Sequence, residues 1–316
     1  MRAIPIVLFA LAADPAASDF LLRQPIDCVL GETCYIQNYL DHNSAQGKAQ
    51  DFRCGGLAYD GHMGTDFALP TLSDLENRVT VLAAASGVVT HIRDGVTDGG
   101  TDQFPAGQDC GNGVLITHED GWETQYCHMR MGSVQVAPGE RVEAGAALGE
   151  VGLSGNTQFP HVHLSVRKDG QPIDPFAPQG DDDCRVPNQT LWETPIDYVA
   201  GGLLTVGFSD VVPEFDDVQA GTAERSVLTQ KADAIVLFGH AFGSRKGDIL
   251  RLEISGPQGT FLTEDLVLDK QQAQVYRAAG RRLTLPNWPV GPYRGHVTMI
   301  RDGQAISRKS VTITVE

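Results

Sequence analysis

Val114-Leu115-Ile116-Thr117-His118-Glu119-Asp120-Gly121-Trp122-Glu123-Thr124-Gln125-Tyr126-Cys127-His128 reads as two strands, residues 114–118 and 124–128, joined at Glu119-Asp120-Gly121. Alternating residues on both sides of an Asp-Gly turn are a strong local signal of a β-hairpin. The same pattern extends outward. Residues 79–84 and 87–92 read as strands before it, residues 134–139 and 142–145 as strand–turn units after it, and residues 160–167 as a further alternating strand. No long helical apolar period interrupts them, so residues 51–180 are expected to form a mostly β domain. The loop 94–112, dense in Gly and Asp, reads as a solvated segment placed to wall a groove.

Flanking segments complete the organisation. Residues 1–18 carry Arg2, an apolar run and the small residues Ala16-Ala17-Ser18, the pattern of a signal peptide. That run is shorter than the roughly 20 apolar residues a membrane-spanning helix needs, so no membrane span is expected. Residues 19–50 look loop-like. Residues 181–189, with Asp181-Asp182-Asp183, read as a linker. Residues 190–316 show short strands again: Leu250, Leu252 and Ile254 alternate with polar residues, and a terminal hairpin turns at Asp302-Gly303. A smaller, immunoglobulin-like β-sandwich is the expectation there. It carries no catalytic cluster, and its candidate roles are wall positioning, partner binding or spacing. Trp192, Trp288 and Tyr293 are read as core rather than as a sugar-stacking surface.

Composition bounds the function classes. The 316 residues carry a formal net charge of −16 with no block of Lys or Arg, which argues against nucleic acid and anionic membrane as partners. Six cysteines with no CxxC suit disulfides in an exported chain, periplasmic or extracellular. Cys28 and Cys34 are close enough to close a small loop. Cys110 and Cys127 flank the hairpin, which leaves Cys54 for Cys184.

The chemistry-bearing residues are His62, Asp66, His128, His161 and His163. His62 and Asp66 form an HxxxD pattern, but Gly61, Gly64 and Pro70 disfavour a helix, so a loop entering a strand is expected to present both. In His161-Val162-His163 the two imidazoles project from one face of a strand, with Val162 and Leu164 on the other. Imidazole and carboxylate are good zinc ligands. By the same alternation Tyr126 should share a face with His128 while Cys127 points away, which speaks against a Cys–His nucleophilic pair. His42, His91, His118, His240 and His296 are read as structural.

The order of these motifs, with Ala85-Ser86-Gly87-Val88-Val89, Gly111-Asn112-Gly113, Pro138-Gly139-Glu140-Arg141-Val142, Ser154-Gly155-Asn156-Thr157 and Pro160-His161-Val162-His163-Leu164 between and around them, resembles the LytM/M23 (lysostaphin-like) zinc metallopeptidases over roughly residues 50–178. The resemblance implies an antiparallel β-sheet peptidase domain and a Zn2+ held by His62, Asp66 and His163. It further implies catalytic roles for His128 and His161, and hydrolysis of peptide cross-links or bridges of peptidoglycan. Relatives that have lost ligands act instead as non-hydrolytic regulators of cell-wall amidases; this chain keeps the full set. It departs from the family at Phe159, often Gly, and at Leu164-Ser165, often Phe-Glu, positions that bear on groove shape and specificity.

Overall fold

The computed structural model describes residues 20–102, 104–180 and 184–316; the expected signal segment and the three aspartates of the expected linker lie outside them. The chain is mostly β. Its first ten strands are β1 (Tyr35–Asn38), β2 (Thr65–Ala68), β3 (Thr80–Leu82), β4 (Gly87–Arg93), β5 (Asn112–Thr117), β6 (Trp122–Met129), β7 (Arg141–Val142), β8 (Ala147–Glu150), β9 (His161–Lys168) and β10 (Gln171–Pro172). Eight of them form one sheet in the order β1-β2-β9-β6-β5-β4-β7, with β10 paired to β9, and every pairing is antiparallel. Strands β3 and β8 make a separate two-stranded ribbon.

Strand β9 shows why the sheet holds this register. Val162, Leu164 and Val166 are fully buried in the core, while His161, His163 and Ser165 occupy the opposite face. Each buried aliphatic side chain contributes about 1.5–3 kcal/mol. A slip of one residue would exchange the two sets and drive imidazoles into the core, so burial of the apolar face also fixes where the histidines point.

Two expectations are corrected here. The segment read as loop-like contains β1, which pairs with β2, and its Leu22, Ile26, Tyr35, Ile36 and Tyr39 are buried in the same core as Phe67 and Leu164. Of the strand–turn unit read at 134–139, the turn forms at Pro138-Gly139 but the strand does not: Gln135 alone donates to β8, at the Leu148 carbonyl, Pro138 has no N–H to give, and the Ala137 N–H donates to the Glu140 side chain. The loop 94–112 is also less solvated than its composition suggests. Asp94 accepts from the N–H groups of Gly132 and Val134, and Asp98 from those of Met131 and Leu153. Asp94 and Asp98 thus tie it to neighbouring loops.

The remaining strands are β11 (Gly202–Ser209), β12 (Val227–Leu228), β13 (Ala234–Ser244), β14 (Ile249–Gly256), β15 (Gly259–Val267), β16 (Gln272–Arg282), β17 (Gly291–Arg301) and β18 (Gln304–Val315). They build a three-stranded sheet, β11-β13-β16, and a five-stranded one, β12-β18-β17-β14-β15. The two share a core that includes Leu237, Leu252, Val297, Met299, Trp288 and Tyr293. Trp192 belongs to the first core. The sandwich meets the first sheet along β1, where Gln274 donates to the Tyr35 hydroxyl and to Gln37, and the Tyr35 and Phe242 rings lie 4.7 Å apart. A cavity of about 850 Å³ lies at this seam, lined by Ile26, Tyr35, Ile36, Val199, Phe242 and Ile306, and none of the site histidines borders it. Three disulfides, Cys28–Cys34, Cys54–Cys184 and Cys110–Cys127, match the pairs read from the sequence. No helix among the described residues is long and apolar enough to cross a membrane.

Candidate metal centre

The site forms where β2, β9 and β6 lie side by side. Asp66 pairs with His163, and His163 in turn pairs with Cys127. Cross-strand partners share a face, so the sheet gathers Asp66, His161 and His163 on its non-core side. His62 arrives from the loop before β2, as expected, and its ring lies 4.9 Å from that of His163.

Three atoms converge. His62 Nε2 is 3.1 Å from Asp66 Oδ1 and 3.1 Å from His163 Nδ1, and His163 Nδ1 is 2.8 Å from Asp66 Oδ1. His62 and Asp66 are buried and His163 nearly so. The far atom of each group is already committed. His62 Nδ1–H donates to the Tyr39 carbonyl, His163 Nε2 bonds the Ser165 hydroxyl, and Asp66 Oδ2 accepts from Asn38 Nδ2. With the imidazoles neutral, three lone pairs then face one another, an arrangement that a cation relieves. Tetrahedral zinc with bonds of about 2.0–2.1 Å needs donor atoms about 3.3 Å apart, and the set fits with only a small expansion. Hydrogen bonds on the remote nitrogens fix the tautomers that such a site requires.

Two more histidines stand beside this group. The ring of His128 is 4.6 Å from that of His161 and 6.1 Å from that of His163. His128 Nδ1–H donates to the Ser154 carbonyl, and His161 Nδ1–H to the Phe159 carbonyl, so each turns Nε2 toward the site. Phe159, where the family often has glycine, stacks on His161 at 4.3 Å and lays an aromatic face along it. Burial lowers the His128 pKa well below its ordinary value, and the charges of His161 and His163 push the same way. Burial also lowers that of His163, against the pull of Asp66. For Asp66 burial acts upward, but the neighbouring histidines prevail and hold the carboxylate ionised. His62 shows the reverse balance: burial acts downward and Asp66 raises it overall.

The structure thus brings together all five residues singled out from the sequence, but by a different route at His128. Cys127, not Tyr126, lies on the site face; Tyr126 is buried in the core, where its hydroxyl accepts from the Ala84 N–H. His128 reaches the site because its backbone turns over at φ 63°. Sequence reading also missed Asn38, hidden in a segment without an alternating pattern, and Tyr59, an exposed ring 4.5 Å from that of His62. The structural reading of His118 fits its surroundings, with Nδ1 on the Ser86 carbonyl and Nε2 on the Thr124 hydroxyl.

A His/Asp/His group able to hold a metal, on the open face of an antiparallel sheet with two spare imidazoles, defines a candidate hydrolytic metal centre. Comparison with known proteins gives this segment relatives. Residues 60–175 match the model of peptidase family M23, and the likeness is confined to that segment. Over 116 residues it is 34% identical to the DD-carboxypeptidase/endopeptidase Mpg of Neisseria meningitidis serogroup B, covering 37% of this chain and 22% of that protein. Over 112 residues it is 30% identical to the peptidoglycan DD-endopeptidase ShyA of Vibrio cholerae, covering 35% of this chain and 21% of the relative. The chain therefore spans about a fifth of the length of these curated relatives. Among solved structures, the catalytic domain of the prophage-encoded M23 protein EnpA from Enterococcus faecalis is 28% identical, covering 43% of this chain and 88% of that one with a TM-score of 0.30.

Proposed function

We propose that the chain is a zinc-dependent endopeptidase that hydrolyses peptide cross-links or bridges of bacterial peptidoglycan. The observation that carries this is the convergence of His62 Nε2, Asp66 Oδ1 and His163 Nδ1 within 2.8–3.1 Å inside an M23 segment, with His128 and His161 alongside. Zinc bound by these three residues would supply Lewis acidity to the scissile carbonyl and acidify a water molecule. His128, kept neutral by burial, takes a proton from the attacking water at Nε2, its Nδ1–H remaining on Ser154. His161 presents Nε2 to the same opening, where it helps His128 orient the attacking water. Phe159 shapes the groove next to His161 for an extended peptide. Export to the periplasm or cell exterior is part of the proposal, supported by three disulfides and the relatives' peptidoglycan substrate.

Digestion of purified peptidoglycan by the zinc-loaded protein, with products weighed by mass spectrometry and His163→Ala as blank, tests this directly. New peptide termini absent from the blank are expected. Intact cross-links and bridges in the presence of bound zinc would overturn it and favour a non-hydrolytic regulator of amidases.

A further inference from the structure

The turn at His128 has a clamp around it. In a regular strand, Cys127 on the site face would send His128 to the core face. Instead, Asn112 pairs with Met129 and Val114 with Tyr126, so Gly113 alone opposes both Cys127 and His128. This is a β-bulge, and His128 occupies it in the left-handed region at φ 63°, which is unfavourable for a residue with a Cβ. Such a conformation persists only where the surroundings over-determine it.

Three contacts do so, and the partner in the third is itself anchored. The Cys110–Cys127 disulfide joins the loop 94–112 to the residue immediately before His128. The His128 backbone N–H donates to the Cys110 carbonyl at 2.8 Å. The ring Nδ1–H donates to the Ser154 carbonyl at 2.8 Å. Ser154 is itself fixed, its hydroxyl accepting from the Asn112 N–H and donating to the Met129 carbonyl. Nothing larger than glycine fits beneath: a Cβ on Gly113 would strike the Tyr126 carbonyl, and one on Gly111 would strike the Ser154 carbonyl. Among these contacts, only the disulfide is a covalent bond across the bulge.

We infer that the Cys110–Cys127 disulfide is a positioning element for His128: the cross-link holds the bulge that turns this imidazole out of the core and into the site. The inference rests on the catalytic role proposed for His128. It separates this disulfide from Cys28–Cys34, which closes a small loop in the N-terminal segment and touches none of the five site residues. It also separates His128 from the metal ligands, since His62, Asp66 and His163 take their positions from β2, β9 and the loop before β2.

The test compares wild type, a Cys110→Ser/Cys127→Ser variant, and a Cys28→Ser/Cys34→Ser control, each zinc-loaded and folded. Three readouts are taken: stoichiometric zinc binding, kcat and KM on cross-linked muropeptides, and the imidazole N–H signal of His128 in nitrogen-15 NMR. The variant at 110 and 127 is expected to bind zinc like wild type and to lose kcat by about 100-fold with KM little changed, the scale expected for a misplaced reacting group. In a His128→Ala background the same pair of serines should cost no further kcat. The His128 Nδ1–H signal should lose its protection from exchange, while the 28/34 control keeps both activity and signal. Unchanged kcat, additive losses with His128→Ala, or a protected His128 signal without the cross-link would each overturn the inference. The NMR readout stands even if wild type leaves peptidoglycan uncut, so failure of the endopeptidase reading and failure of the clamp are told apart.

Discussion

On the open face of the eight-stranded sheet, His62, His128, His161 and His163 each have one nitrogen committed to a neighbour and the other turned toward the Asp66 side of the sheet. In the sandwich, His240 is fully buried on β13, and neither ring nitrogen makes a well-formed hydrogen bond. Phe215 lies edge-on to it at 5.8 Å. Both regions bury histidine, yet among the described residues only the first gathers a group able to hold a metal. Convergence of free lone pairs, with the far atoms already occupied, distinguishes a ligand set from a buried polar side chain that costs stability.

The largest expected effect breaks the convergent set itself. Replacing His163 with Ala removes a ligand, and both bound zinc and peptide hydrolysis should fall to background, measured by metal analysis and muropeptide cleavage. His128→Ala separates ligand from catalyst: zinc should stay bound, while kcat falls by roughly 100- to 10,000-fold, the usual worth of a general acid or base. Loss of zinc in that variant would merge the two roles.

His240 supplies the contrasting prediction. Burial pushes its pKa from the usual 6.5 down to about 4, with Gln274 opposing. The folded state therefore resists protonation while the unfolded state accepts it at about pH 6.5. Stability is fully present above that pH and declines as the pH falls toward 4, by about 3 kcal/mol in all from this group. Urea melts of the sandwich's fluorescence between pH 7 and 4 should show the decline, and His240→Leu should flatten it. A smaller effect sharpens the first region. Ser165→Ala releases Nε2 of His163, and zinc affinity should weaken by about 10- to 100-fold in a chelator competition with the fold intact.

What the sequence made legible follows the same divide. HxH on an alternating strand and the Asp-Gly hairpin are local patterns, and the faces they imply at His161, His163, Val162 and Leu164 are the ones observed. Cys110 and Cys127 flank the hairpin, which made their pairing an expectation, and the structure joins them. The facing read for His128, with Tyr126 and away from Cys127, was wrong, because a bulge depends on its partner strand, and Gly113 alone does not announce that two residues oppose it. Strand β1 was illegible for a related reason. Its Tyr35, Ile36, Gln37 and Asn38 are all buried, one face against the sheet and the other at the seam with the sandwich, so no alternation shows. Asn38, which holds Asp66, was lost with it.

The most direct test of the central claim is a zinc titration of the metal-free protein with cleavage of a cross-linked muropeptide followed in the same samples. Cleavage should rise in proportion to zinc, level off once each chain holds a single ion, and stay absent throughout for His163→Ala. Cleavage by the metal-free protein, or full zinc binding with no cleavage of either cross-links or bridges, would contradict the account.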